Sequence, residues 1–228
     1  MENKLGSSSS SGQCCVIADI VGSRNLANRD QAQKVFEEAL ARAAKSLKDG
    51  SVLRDPWATV GDEFQFVTLD FRTATQLTTL VMLDLNGGIT LADLQTSEMP
   101  SVGNGRLALR FGVGNGAMGE ASGRFGVLTG QGWIAARRAL EIAESRARFA
   151  QLSVYVGKPG EECSQENAFL AMRDHIILKQ NSRESRISYR SILGLSQQKI
   201  ATLENITQPA VSQSLRHSGA YALRRMII

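Results

Sequence analysis

Apolar residues change their spacing several times along the chain, and each change marks an element. Residues 14–21 (CCVIADIV) form an apolar run whose one charge is Asp19, the pattern of a strand buried on both faces, ending in the turn-forming pair Gly22-Ser23. Over about residues 30–48, Val35, Phe36, Ala39, Leu40, Ala43 and Leu47 recur at helical spacing, with Asn28 or Asp30 available as cap and Gly50 as terminator. Strands follow at about 52–60 and 63–69, parted by Gly61-Asp62, a pair suited to a tight hairpin. Asp70 can cap a second helix to about residue 83, and residues 86–105, rich in Gly, Ser and Thr, read as a long loop. A strand at 107–113, a helix at about 130–149 and a short strand at 152–156 complete the first unit, residues 13–160. The order strand, helix, strand, strand, helix, strand, with an added helix and strand, predicts an α+β fold: a ferredoxin-like antiparallel sheet covered by helices.

A connecting helix is expected within 161–182, and from residue 183 the pattern changes to short helices without strand-like alternation. The informative stretch is 195–216 (LSQQKIATLENITQPAVSQSLR). Ser196 can cap a helix whose apolar side is Ile200, Ala201 and Leu203. Asn205 tolerates a left-handed turn, Ile206 packs inside it, and Thr207 can cap a second helix with Pro209 in its first turn. Val211 and Leu215 face inward, which leaves Gln208, Ser212, Gln213 and Arg216 exposed. Those four can hydrogen-bond base edges or phosphates from a helix in the major groove, while Thr207 and Lys199 suit backbone phosphates. A helical hairpin packed on the first unit would use the same apolar residues.

Charge bears on this choice without deciding it. Residues 173–228 hold nine Lys and Arg against three Asp and Glu, leaving 17 against 19 in residues 1–172. The basic excess of the chain therefore lies wholly in its last quarter, which would concentrate a polyanion, nucleic acid and here double-stranded DNA being the commonest such partner, although a solvated basic face gives the same count. A hydrophobic fraction of 43% with 21% charged residues excludes wholesale disorder, collagen and coiled coil. The polar, Ser-rich residues 1–12 are expected to be a flexible leader without a signal peptide's apolar core, and no apolar run approaches a membrane span, so a cytoplasmic protein is expected. Cys14, Cys15 and Cys163 make neither a disulfide framework nor a metal pair, and His175 and His217 have no ligand at metal spacing.

The first unit carries its own candidate chemistry. Neighbouring strands could bring Asp19, near a strand end, close to Asp62 at a hairpin tip. Two carboxylates and a backbone carbonyl such as that of Ile20 are ligands Mg²⁺ accepts when nucleotide phosphates complete its shell. Gly22 and Gly61 would let backbone approach a phosphate. Equally, Asp62 could be an ordinary turn residue and Asp19 a wetted polar residue at a strand end. Glu63 is expected to point away from Asp62 along an extended strand.

On these residues the chain resembles known families. Residues 18–23 (ADIVGS) and 60–64 (VGDEF) look like the two metal-binding segments of class III nucleotide cyclases, the second also like the signature of GGDEF diguanylate cyclases, and 110–114 (RFGVG) is similar to the core strand that follows. That resemblance implies metal at Asp19, Ile20 and Asp62, and nucleotide at Gly22, Ser23, Gly61 and Arg137. It also shows departures: Ala58 stands where adenylyl cyclases select the base with lysine, and Trp133 where the asparagine partner of Arg137 is expected. Both argue against cyclisation, and no catalytic residue is assigned. Residues 195–216 resemble the helix-turn-helix of phage repressors and response regulators, with Asn205 in place of the usual glycine. Together the segments resemble the SatD family, which implies a bacterial or phage-borne protein with a cyclase-like first domain, a possible nucleotide sensor or enzyme, and a DNA-binding end at 183–228. One recognition helix covers a half-site, so a homodimer is expected.

Overall fold

The computed structural model describes residues 12–23, 26, 28–59, 62–94, 107–119, 121–122, 127–128, 130–146, 151–157 and 163–227. The expected leader and the Val60-Gly61 part of the hairpin tip lie outside them. The elements are β1 (Cys14–Ile20), α1 (Arg29–Lys45), β2 (Val52–Ala58), β3 (Glu63–Thr68), α2 (Phe71–Gly87), α3 (Ile89–Asp93), β4 (Leu109–Asn115), the two-residue strands β5 (Ala121–Ser122) and β6 (Val127–Leu128), α4 (Gln131–Arg146), β7 (Ser153–Val156), α5 (Ser164–Lys179), α6 (Ser182–Ile192), α7 (Gln197–Glu204), α8 (Gln208–His217) and α9 (Ala220–Ile227).

The protein is a mixed α+β fold around a five-stranded sheet of order β2-β3-β1-β4-β7. Four strands are antiparallel neighbours, but β7 runs parallel to β4, so the sheet is mixed rather than antiparallel as the sequence predicted. The cause is α4: a helix between two strands returns the chain to the end where it began, and the next strand can then only add in parallel. β1 is central, and its alternation divides the core. Cys14, Val16, Ala18 and Ile20 face the larger cluster with α1 and α2, whereas Cys15 and Ile17 lie against Trp133, Ala136 and Leu140 of α4. Asp19, next in the second series, therefore stands on the α4 side.

Helix α1 starts where Asn28 accepts from the Gln31 amide, and it buries Ala32, Val35, Phe36, Ala39, Leu40 and Ala43, close to the predicted stripe. Asp70 caps α2 by accepting from the Thr73 amide at 2.7 Å. α2 outruns its expected end, stopping only at Gly88, whose φ of 66° is left-handed; the single turn α3 follows, so the expected loop begins with helix. α2 is buried around most of its circumference, which one sheet face cannot achieve alone; α1, α5, α6 and α9 also contact it. The expected connecting helix, α5, lies on β7 and α2, where it buries Leu170, Arg173, Asp174 and Ile177. Its side chains close the sheet edge: Asn167 both donates to and accepts from the Tyr155 backbone, and Asp174 accepts from the Leu152 and Ser153 amides. Tyr189, Ile192, Leu223 and Ile227, from α6 and α9, join the same core cluster as the sheet residues. Among the described residues no helix is long and apolar enough to cross a membrane.

Candidate functional site

Two groups of residues carry candidate chemistry. The first lies at one end of the sheet, where cross-strand register places Glu63 and Arg110 directly opposite Asp19, on β3 and β4 respectively. Opposite residues in an antiparallel pair share a face, so all three project toward α4. Arg110 donates from Nη1 to Asp19 Oδ2 at 3.0 Å, with Glu144 of α4 at 3.7 Å from the same nitrogen. Arg137, also on α4, grips Glu63 with both terminal nitrogens, at 2.5 and 2.7 Å. Burial, then the charge of Asp62, push the Asp19 carboxyl up to about 6 despite Arg110. Glu63, which sequence spacing set aside, is thus part of the cluster. Only the pairing register of β1 and β3 could have shown this, and register is non-local.

The nucleotide-site residues meet this cluster unevenly. Gly22 turns the chain after β1 with φ of 71°, Ser23 follows it half-buried, and Ile20 is buried in the core on the opposite face from Asp19. Gly61 lies outside the described residues. Trp133 is 6% exposed and packs edge-on against Trp57 at 5.8 Å, a core role that suits its departure from the cyclase pattern. Among the described residues no group of three or more His, Cys, Asp or Glu is placed to hold a metal ion. Arg110 brings a positive charge of its own to Asp19 through Oδ2.

The second group is the α7–α8 pair. Ser196 accepts from the Lys199 amide, Asn205 takes the left-handed conformation (φ 53°, ψ 48°), and Thr207 accepts from the Ala210 amide. All three local signals act as predicted. Ile200, Ala201, Val211 and Leu215 are buried with Ile187 of α6, and Ile206 packs against them. Leu203 departs from the prediction: it is 51% exposed, because the neighbouring Glu204 turns inward instead. Glu204, 3% exposed at its side chain, receives Arg186 at 2.8 Å and also Arg190, and Arg186 continues to the Gly87 carbonyl at the end of α2.

Lys199, Thr207, Gln208, Gln213 and Arg216 are exposed and Ser212 is half-buried, so this polar side is left uncovered. Sequence reasoning missed two partners. Gln208 Nε2 donates to Gln197 Oε1, and Gln197 Nε2 donates to the Tyr221 hydroxyl of α9 at 3.1 Å. Internal pairing leaves most of the basic excess outside. Of the three acids after residue 172, Asp174 pairs with Arg173 and Glu204 with Arg186 and Arg190, while Glu184 accepts from the Asn181 amide in a capping box. What remains outside is basic: Lys179, Arg183, Lys199, Arg216, Arg224 and Arg225 are all exposed. Comparison with protein-family models, curated proteins and solved structures gave no match.

Proposed function

We propose that the protein is a DNA-binding regulator of the SatD type, with α7 and α8 as a helix-turn-helix and α8 as the helix that enters the major groove. The observation that carries this reading is the uncovered polar side of α8, where Gln208, Gln213 and Arg216 are exposed beside a surface rich in Lys and Arg. Such side chains can donate to and accept from base edges, and the surrounding charge draws the phosphate backbone. Two copies acting on two half-sites fit the reach of one helix.

The sheet unit, in this reading, is a ferredoxin-like, cyclase-related domain that serves as sensor. The strand order β2-β3-β1-β4 with α1 and α2 on one face supports it. Asp19 and Glu63 are already neutralised by Arg110 and Arg137, which favours regulation over turnover.

Selection from a randomised duplex pool with the full chain tests the reading. Enrichment of a defined site, lost in a Gln208→Ala, Gln213→Ala variant, is expected. Absence of any duplex binding at about 50 mM salt, where phosphate contacts are strong, rejects it.

A further inference from the structure

Beside α8 lies a groove of about 660 Å³ between the first turns of α6 and the opposite flank of α8. Its α8 wall is Ala210, Gln213, Ser214 and His217, at the i, i+3, i+4, i+7 spacing of one helix side, while Gln208, Ser212 and Arg216 repeat every fourth residue on the other. Ile187 and Ile206 also line it.

Two basic side chains flank this groove. Arg183 and His217 are exposed on its two sides, and neither makes an ion pair or hydrogen bond with a described residue. Glu184, its one acid, accepts from the Asn181 amide at the groove rim, and Arg186 contributes its stem because its guanidinium is held by Glu204 and Gly87. The α6 N-terminus adds no site of its own, since its capping box already closes it.

We infer that this groove seats one phosphodiester strand of the bound duplex, with Arg183 and His217 as its phosphate contacts. The inference rests on the DNA-binding reading and extends it: α8 is straddled, with base-reading groups on one flank and a phosphate track on the other, so the footprint runs past the recognition helix onto α6. Gln213 lies where the two surfaces meet.

A salt series on a labelled non-specific duplex of about 30 base pairs tests it, using wild type, Arg183→Gln, the double variant Arg183→Gln, His217→Gln, and Lys179→Gln as a charge-matched control. Lys179 is exposed but outside the groove. Each lost phosphate contact should lower the slope of log K against log salt by about 0.9, so Arg183→Gln should lose about one and the double variant up to about two, with affinity at about 100 mM salt reduced roughly fivefold or more. Sequence preference and unfolding midpoint should not move, because the contacts are to phosphate and neither side chain has an internal partner. A slope for Arg183→Gln equal to that of Lys179→Gln overturns the groove while leaving the DNA reading intact. A change of preferred sequence overturns the phosphate assignment. Wild type that binds no duplex at any salt removes both.

Discussion

If α8 binds DNA as proposed, a single hydrogen bond at Gln208 determines what the side chain can read. With one amide hydrogen given to Gln197, it keeps one N–H and its carbonyl oxygen outward, and that donor and acceptor together match the N6 and N7 edge of adenine. Gln208→Ala should therefore cost about 1–3 kcal/mol of discrimination for adenine at one position of the selected site. Gln197→Ala should lose part of the same preference although it need touch no base, because it frees the Gln208 amide to rotate. Equal preference in the Gln197→Ala variant and wild type, read by competition between duplexes differing at that base pair, would refute the arrangement. Asp19 gives a second prediction at this scale. Its pKa rises from the ordinary 3.8 to about 6, so the folded chain holds this proton more tightly than the unfolded chain does. Stability should then fall as pH rises through that window, and the penalty should be complete above it. Asp19→Asn abolishes the titration, so the variant should gain in unfolding midpoint relative to wild type between about pH 4 and pH 7; parallel midpoint profiles would count against it. What sequence revealed at this scale was local. Ser196, Asn205 and Thr207 announce caps and a turn within four residues of their partners, whereas the pairs Asp19–Arg110 and Glu63–Arg137 join residues 91 and 74 positions apart.

Elements meet most closely where glycine permits it. A Cβ on Gly112 would stand 2.2 Å from the Ala136 carbonyl, and one on Gly114 2.2 Å from both the Ala136 amide and the Gly132 carbonyl. These are backbone atoms, which cannot swing aside, so α4 rests directly on β4. Gly114→Ala should force the helix off the sheet and destabilise the fold by about 3 kcal/mol or more, measurable by urea titration of tryptophan emission, since Trp133 lies on α4. A loss below about 0.5 kcal/mol would mean that α4 can shift freely. Periodicity located α1 and α4 because each shows one apolar stripe, whereas α5 buries Arg173 and Asp174 beside Leu170 and Ile177 and shows none. Periodicity misjudged the end of α2, where Thr78, Thr79 and Asp84 are buried among leucines and blur the stripe. Some partners of these polar groups come from distant elements: Arg173 donates to Thr78, and Arg42 pairs with Asp84 at 3.5 Å. A polar residue satisfied from afar looks, in sequence alone, like a surface residue.

Elements from both sides of residue 183 pack on α2. Leu223 and Ile227 of α9 lie in the core cluster that holds Phe64, Phe66 and Phe111 of the sheet, Asn86 of α2 donates to Ile177 and Gln180 carbonyls and to Ser185, and Arg186 ties Gly87 to Glu204 beside the α7–α8 turn. Sequence suggested a division near residue 183, because helical spacing replaces strand spacing there, but periodicity reports the kind of element and not whose core it fills. The proposed regulator could pass a change at the sheet to α7 and α8 only if the two ends share their stability. Leu223→Ala measures that. Leu223 is fully buried, so its truncation should cost about 2–5 kcal/mol. Trp57 and Trp133, the only tryptophans, report from the far face of the sheet, in the cluster under α4. If the body is cooperative, their emission and the helical circular dichroism should shift to lower urea together, with one midpoint. A helical signal that shifts while tryptophan emission keeps its wild-type midpoint would separate the ends into independent units, and the route from sheet to α8 through Arg186 and Glu204 would have to be abandoned.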